Sequence, residues 1–313
     1  DPKHKGEVVK IDIKKYTNSR LYYIDYLSLK PEVHNTDMYR IGILNYLDAE
    51  FDRALPRLSP IANEESLLGQ SAAYHIGMIL LKKKDNAGAA DWFEKAGKLD
   101  FDRDTKEKSL YNLVVLASES DSTTNEEKIS KLKHFIEQYP ASEMKGSISK
   151  KLAQSYMATN EYDKALDILN SIQSPDDRVK QNKSIALFML GKKAFDEDKS
   201  EDALRFFKQA IDISSPKSSI NLQSLYWKGE TNYKLEKYQD ALKDFRTFSD
   251  ATESAKLKSY PSAIYGAGYT AFKQKNYTES IKWFDKFTKL SGISDDERYA
   301  DALNRLGDCN FIN

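Results

Sequence analysis

The residues best suited to chemistry are few and lie far apart along the chain. The four histidines, His4, His34, His75 and His134, form neither an HExxH motif nor a pair four residues apart. A metal site needs several such side chains close together, and this spacing does not supply them. His75 lies within an apolar helical pattern, and we interpret it as a partly buried polar residue or one that lines a groove.

Motifs for phosphate binding and for nucleophilic catalysis are also incomplete. Gly266 and Gly268 resemble the start of a dinucleotide-binding loop, but the third glycine and a preceding strand are missing. Gly191 and the two lysines after it lack the upstream glycine of a phosphate-binding loop. Cys309 is the single cysteine, which excludes an internal disulfide, and we interpret it as a small core residue. We therefore expect no catalytic residue, no metal site and no cofactor.

The composition indicates a chain that can build a core but has no membrane-spanning stretch. Of its 313 residues 40% are hydrophobic and 31% are charged, and the mean hydropathy is -0.66. The 48 basic residues balance 48 acidic ones, so nucleic acid is not an expected partner. The lysine-rich runs at 82–84 and 128–133 have acidic neighbours, and we interpret them as solvated helix faces.

Regularly spaced small residues indicate an internal repeat. They lie 35 to 39 residues apart, except for one double interval of 76. Their positions are Gly42, Gly77, Ala153, Gly191, Gly229, Gly268 and Gly307. Twelve residues after each of the first six comes another small residue, and four residues later an apolar one. These two sets are Ala54, Ala89, Ala165, Ala203, Ala241 and Ser280, and Leu58, Phe93, Leu169, Phe207, Phe245 and Phe284.

This spacing predicts a pair of helices in each repeat. Small residues at facing positions allow two antiparallel helices to approach closely. The apolar residue four positions after the alanine shares its face, and we expect it to fill the groove against the next pair. Because one pair cannot bury its apolar stripe alone, the pairs must stack.

The pattern resembles the tetratricopeptide repeat, and Gly229, Tyr238, Ala241 and Phe245 carry it most completely. The resemblance covers residues 19–313. It implies an all-α fold, a right-handed superhelical solenoid of antiparallel helix pairs. Several stretches are similar to envelope-associated bacterial members, including Tol-Pal-associated periplasmic proteins and the outer-membrane-assembly lipoprotein. These stretches are Tyr226–Glu230 with Tyr233, Phe135–Ser142 and Tyr260–Ala263.

The repeat pattern also predicts the domain organisation. We expect residues 1–17 to form an irregular lead segment and residues 18–313 to form a single solenoid. This solenoid would contain about seven helix pairs, with partial units at both ends. The unit at 110–140 is expected to be irregular, because Leu116 and Lys128 replace its two small residues. Since the chain begins without an apolar run and ends within a periodic segment, we interpret it as a mature form or a fragment.

The 19 tyrosines and 14 phenylalanines suggest where partners bind. In tetratricopeptide solenoids the first helix of each pair lines the concave surface, as the resemblance implies. Tyrosine and phenylalanine on that surface would offer a large contact area at little cost in conformational entropy. The predicted contact residues are Tyr39, Tyr46, Tyr74, Phe188, Lys192, Phe195, Tyr226, Glu230, Tyr233, Lys234, Tyr265, Tyr269, Phe272 and Lys273.

We expect a non-catalytic scaffold that binds a peptide or partner protein in this aromatic groove. Two alternatives stay open: a solenoid that binds glycan or peptidoglycan through its tyrosines, and the scaffold part of a larger enzyme or assembly. The envelope-like stretches favour the periplasm or the outer membrane, reached through a partner or a lipid anchor, over the cytoplasm. Exposed apolar residues near the end, such as Leu303 and Phe311, favour self-association there.

Overall fold

The computed structural model describes residues 34–313 together with Leu29. This part of the chain contains fifteen α-helices and three short 3-10 helices, and it contains no strand. The predicted all-α class is therefore confirmed. The lead segment expected at 1–17 lies outside the described residues, as does nearly all of the incomplete helical unit expected to follow it.

The helices form two compact units, one up to Met144 and one from Lys145 onward. The described helices of the first unit are α1 (Asn35–Leu47), α2 (Phe51–Leu58), α3 (Leu67–Lys82), α4 (Asn86–Lys98), α5 (Arg103–Glu119) and α6 (Asn125–Gln138). Those of the second unit are α7 (Lys145–Ala158), α8 (Tyr162–Asn170), α9 (Asp177–Asp196), α10 (Ser200–Ile213), α11 (Ser219–Lys234), α12 (Tyr238–Asp250), α13 (Tyr260–Lys273), α14 (Tyr277–Thr288) and α15 (Arg298–Ile312).

Within each unit, helices that follow one another in sequence pack as antiparallel pairs joined by short turns. In the second unit α7 packs on α8, α9 on α10, α11 on α12 and α13 on α14, and α15 covers α14. The first helices of successive pairs also meet, because α9 contacts α11 and α11 contacts α13. This contact places α9, α11 and α13 side by side in one layer.

The closest approach within a pair is between the glycine of the first helix and a large side chain sixteen residues later. A β-carbon at any of these glycines would lie 2.6 to 2.9 Å from that side chain, which is shorter than a non-bonded contact between two carbon atoms. The contacts join Gly42 to Leu58, Gly77 to Phe93, Gly191 to Phe207, Gly229 to Phe245 and Gly268 to Phe284. The Phe245 ring also lies 3.2 Å from a β-carbon built at Gly266 of the next pair, so it fills the groove between pairs as expected and packs on the glycine of its own pair as well.

The second small residue of each repeat lies in the core. Every member of this set has no exposed surface, so a larger side chain would push the helices apart. The set is Ala54, Ala89, Ala165, Ala203, Ala241 and Ser280.

A left-handed backbone residue ends the first helix of six of the seven described pairs. These residues have φ between 59° and 64°, and they are Ala49, Lys84, Asn160, Asp198, Glu236 and Lys275. In each turn the next N–H donates to a carbonyl five residues back, as from Lys237 to Asn232 at 2.8 Å. This bond satisfies a carbonyl that the helix leaves open, and it reverses the chain within three residues.

The pair of α5 and α6 turns differently. Helix α5 ends in an extended residue, Ser120, and a loop leads to Thr124 at the start of α6. The Thr124 hydroxyl accepts from the Glu127 N–H at 3.3 Å, and the Glu127 carboxylate accepts from the Thr124 N–H at 3.2 Å. This capping box starts α6 without a left-handed residue.

Replacing Gly229 with Leu should destabilise the second unit by about 1–3 kcal/mol, because the added side chain must displace the Phe245 ring. The measurement is urea unfolding followed by circular dichroism at 222 nm. Gly307→Leu is the matched control, since no atom lies within 4 Å of a β-carbon built at this helical glycine. An equal loss of stability in both variants would contradict the proposed contact.

Candidate functional site

The second unit brings together eleven of the fourteen predicted contact residues, because they lie on the adjacent helices α9, α11 and α13. We call this set the first-helix surface. It consists of Phe188, Lys192, Phe195, Tyr226, Glu230, Tyr233, Lys234, Tyr265, Tyr269, Phe272 and Lys273. The other three, Tyr39, Tyr46 and Tyr74, lie in the first unit.

A cleft of about 370 Å³ is formed by residues of α11, α12, α13 and the start of α15. We call it the tyrosine cleft. Its lining residues are Tyr226, Glu230, Tyr233, Phe245, Ser262, Tyr265, Gly266, Tyr269 and Arg298. Five of them belong to the first-helix surface. The cleft is therefore a depression within the first-helix surface, and the side chains of these residues form its walls.

The rings of the cleft tyrosines also belong to the core. Tyr226 is only 8% exposed, and its ring centroid lies 6.3 Å from that of Phe245 and 5.9 Å from that of Phe248. The ring centroid of Tyr265 lies 5.2 Å from that of Phe287. The rings therefore stabilise the stacked pairs, and the hydroxyl groups are the parts available for polar recognition.

Helix α15 supplies an acceptor for two of these hydroxyls. Tyr265 and Tyr269 both donate to the same carboxylate oxygen of Asp301, at 2.8 and 2.5 Å. Burial and the bond to Asp301 raise the pKa of both tyrosines. Burial also acts to raise the pKa of Asp301, but the two hydroxyl bonds outweigh it and the net pKa is lowered. At neutral pH the tyrosines are therefore neutral donors and Asp301 is ionised.

Arg298 is fixed by polar bonds and by rings. Its Nε and Nη2 donate to the two carboxylate oxygens of Asp296 at 2.8 and 2.5 Å, and its Nη1 donates to Ser262 Oγ at 2.9 Å. The guanidinium carbon lies 5.5 Å from the ring centroid of Tyr265 and 5.7 Å from that of Phe287. The hydrogen bond from Arg298 lowers the pKa of Asp296 to about 2. The charges of Arg298 and Asp296 are thus paired with each other.

Among the described residues, Glu230 forms no ion pair. Burial raises its pKa to about 7, although a hydrogen bond from Tyr226 and the charge of Arg298 both act to lower it. Gly266 leaves space beside the carboxylate, because a β-carbon there would lie 3.3 Å from Glu230 Oε1 and 3.2 Å from the Phe245 ring. The tyrosine cleft therefore contains one carboxyl group that changes its charge near neutral pH.

A second cluster, which we call the Trp227 patch, joins α9 and α11. It consists of Lys192, Phe195, Trp227 and Lys234. The Lys192 ammonium lies 3.1 Å from the Trp227 ring centroid, and the Phe195 ring meets Trp227 edge-on at 5.2 Å. The Lys234 ammonium lies 5.1 Å from the Phe195 ring, and each lysine also pairs with an aspartate. These cation–π contacts hold both lysines along the surface.

The remaining residues of the first-helix surface differ in exposure. Phe188 is buried at 8% exposure and packs on Phe207 within its own pair. Phe272 meets the Tyr277 ring edge-on at 5.7 Å. Lys273 is exposed. Phe188 therefore acts mainly as a core residue, whereas Lys273 is accessible.

The three predicted residues of the first unit form a separate cluster. The hydroxyl groups of Tyr39 and Ser71 are 2.6 Å apart. The rings of Tyr46 and Tyr74 lie edge-on to His75, with centroid distances of 5.2 and 5.3 Å. Burial lowers the pKa of His75, whose Nδ1 lies 2.7 Å from the Ser71 carbonyl oxygen. His75 is thus a polar residue packed between two rings, as the sequence suggested.

Sequence reasoning missed three polar residues of the site: Ser262, Arg298 and Asp301. Arg298 lies 36 residues after Ser262, and Asp301 lies 36 residues after Tyr265. This separation is close to one repeat, which is the signal that could have located them. Extending the first-helix surface by one more first helix, to α15, would have placed both charged residues beside the tyrosines.

In the part of the chain that the structure describes, the sequence candidates for chemistry lie in structural positions. No group of three or more His, Cys, Asp or Glu residues there could hold a metal ion. Cys309 is buried, with its sulfur 3.4 Å from the Ser280 hydroxyl oxygen. Gly268 packs on Phe284, and Gly191 packs on Phe207. Within residues 34–313, no helix combines the length and the apolar character that crossing a membrane requires.

The repeats match models of a known family. Residues 70–103 and residues 226–292 each match a family model described as tetratricopeptide repeat. Both stretches of the chain therefore contain tetratricopeptide repeats. Repeats of this family indicate a protein-interaction scaffold, and the family is generally non-catalytic. No curated protein sequence matches the chain.

Several solved structures resemble the chain at low sequence identity. The structure of Naa15/Naa10 bound to HypK-THB is 15% identical with a TM-score of 0.50, over 90% of this chain and 39% of that one. The apo form of RapI is 17% identical with a TM-score of 0.46, over 85% of this chain and 79% of that one. A tetratricopeptide repeat protein from Parabacteroides merdae is 12% identical with a TM-score of 0.42, over 87% and 98%. The likeness concerns the fold alone.

Glu230 should make the stability of the second unit depend on pH. Its pKa is about 7 in the folded chain and 4.5 without burial, so the folded state holds the proton more tightly. The bound proton stabilises the folded state by about 3 kcal/mol at a pH below 4.5. This stabilisation is lost as the pH rises through about 7. We expect the urea midpoint to fall from about pH 5 to about pH 8, and Glu230→Gln to remove most of this fall.

Glu279→Gln is the matched control. Burial acts to raise the pKa of Glu279, but hydrogen bonds from Arg246 and Trp283 outweigh it and the net pKa is lowered. Because Glu279 is ionised in the folded and in the unfolded chain above about pH 5, Glu279→Gln should keep the full fall in the urea midpoint between pH 5 and pH 8. If Glu230→Gln retains the full fall in the urea midpoint of the unmodified protein, the assignment to Glu230 is wrong.

Proposed function

We propose that the protein is a non-catalytic scaffold whose first-helix surface in the second unit binds a partner polypeptide. The tyrosine cleft carries this proposal. It combines apolar rings that are already fixed by the core with hydroxyl and carboxyl groups at its surface. A binding site of this composition gains contact area without ordering new side chains, which lowers the entropic cost of association.

The Trp227 patch extends the same surface toward α9. Trp227 and Tyr226 are adjacent on α11, with ring centroids 5.2 Å apart, so the patch and the cleft share an edge. An extended peptide or a helix could contact both, with aromatic anchors in the cleft and polar contacts to Lys192 and Lys234. Tyrosine, tryptophan and cationic residues around a concave centre are typical of protein interfaces.

A glycan ligand is less well supported by the same contacts. Stacking on a sugar ring requires a free aromatic face. The Lys192 ammonium covers the Trp227 ring at 3.1 Å, and the Tyr226 ring is packed against Phe245 and Phe248. These rings present edges and hydroxyl groups more than open faces, which suits the mixed polar contacts of a polypeptide.

We place the protein in the bacterial cell envelope, in the periplasm or at the outer membrane. The support is the similarity of three stretches to envelope-associated members of the family, the longest being Phe135–Ser142. Cell fractionation with an antibody against the intact protein tests this location. Recovery with the cytoplasmic fraction would contradict it.

Site-specific photocrosslinking in the source cells tests the binding surface. A photoreactive amino acid replaces one residue at a time, at the exposed or partly exposed positions Lys192, Lys234 and Lys273. We expect these positions to yield adducts with the same partner protein. The controls are Lys208, Lys243 and Lys282, exposed residues of the second helices α10, α12 and α14. Adducts confined to the controls, or equal at all six positions, would contradict the proposed surface.

A further inference from the structure

The fixed charges in and around the tyrosine cleft do not balance. Two charged residues line the cleft, Glu230 and Arg298, and Arg298 is paired with the carboxylate of Asp296 beside it. When Glu230 is ionised, the cleft therefore has one more negative than positive charge. This imbalance is local, because the whole chain has a formal charge of zero.

The unbalanced charge belongs to Glu230, because the other charges have partners. Both carboxylate oxygens of Asp296 accept from Arg298, whose remaining terminal nitrogen donates to Ser262. Asp301 accepts two tyrosine hydroxyls and lies 3.5 Å from Arg305. Among the described residues Glu230 receives one hydroxyl bond, from Tyr226, and no ion pair. Its carboxylate can therefore accept further donors.

Aromatic rings in this unit already hold cations. The Arg298 guanidinium lies over Tyr265 inside the cleft, and the Lys192 ammonium lies over Trp227 in the neighbouring patch. The Lys286 ammonium lies 5.2 Å from the Trp283 ring. A ring and a carboxylate together bind a cation more strongly than either does alone, because the ring quadrupole adds to the ion pair.

We propose that the tyrosine cleft receives the ammonium group of a lysine side chain of the partner polypeptide, held against Glu230 and the tyrosine rings. This inference rests on the proposed function and specifies the chemistry of its ligand. A lysine side chain is narrow and ends in a compact charge with three donors, which suits one carboxylate at the base of a ring-lined cleft. Its apolar stem would contact the rings while its head reaches Glu230.

The other groups that face the cleft keep their charges between about pH 5.5 and pH 8.5. Burial raises the pKa of Tyr226 and Tyr233, as it does for the other two cleft tyrosines, so all four stay neutral. Arg298 and Arg305 have raised pKa values, and Asp296 and Asp301 have lowered ones. In this range only Glu230 titrates, so the affinity for a cation should rise with pH.

The test uses saturation-transfer NMR titrations of the intact chain with three small probes. The first is N-acetyl-lysine N-methylamide, the second is its norleucine analogue without the charge, and the third is n-butylamine as a free amine. Glu230→Gln removes the charge and keeps the shape and the bond from Tyr226. Glu236→Gln, an exposed residue of the turn after α11, is the matched control.

We expect the lysine derivative to bind best, to weaken about tenfold in Glu230→Gln and to bind unchanged in Glu236→Gln. Its affinity for the unmodified protein should also decrease from pH 8 to pH 5.5, a measurement that needs no folded variant. Three results would overturn the proposal: no binding of the lysine derivative, equal binding of the norleucine analogue, or unchanged binding in a folded Glu230→Gln. Equal binding of n-butylamine would assign the cleft to a free amine instead of a polypeptide.

These titrations separate this proposal from the proposed function. Loss of lysine binding together with intact photocrosslinks at Lys192, Lys234 and Lys273 would overturn the ligand chemistry and leave the surface in place. Lysine binding without crosslinks at those positions would overturn the surface.

Discussion

The structure depends on the contact between a glycine of one helix and the large side chain that the next helix places against it. The absence of a side chain at Gly229 allows the Phe245 ring to reach the backbone of α11, and the same contact recurs in four other pairs. This close contact fixes the distance between the two helices of a pair. The first helices of successive pairs then lie side by side. The tyrosine cleft lies where α11 and α13 meet side by side and α15 follows them.

The aromatic residues of the second unit have two roles, divided between the body of the ring and its polar end. The rings of Tyr226 and Tyr265 fill space between pairs, as Phe248 and Phe287 do. Their hydroxyl groups face carboxylates that no phenylalanine could satisfy. A surface built in this way is rigid, because moving a tyrosine would open the core. Rigidity favours recognition of a defined partner side chain and works against a surface that adapts to many ligands.

Much of the fold could be predicted from the sequence, because the repeat spacing fixes which residues share a face. The buried alanines and the helix pairs follow from it. The contact of each large side chain with the glycine of its own pair does not follow from it, since the spacing predicted only the contact of Phe245 with the next pair. The site was harder to predict: a tyrosine at helical spacing can be core or surface, and the difference depends on neighbours such as Phe248. Arg298 and Asp301 were missed because they belong to α15, beyond the last complete repeat considered.

A double-mutant cycle on Gly229→Ala and Phe245→Leu tests the central contact most directly. The methyl group that the first substitution adds would lie 2.8 Å from the Phe245 ring, and the smaller leucine would relieve this overlap. We predict that the double variant is more stable than the sum of the two single effects, with a coupling of about 1 kcal/mol or more in urea unfolding. Additive effects, with no coupling between the two positions, would contradict the account.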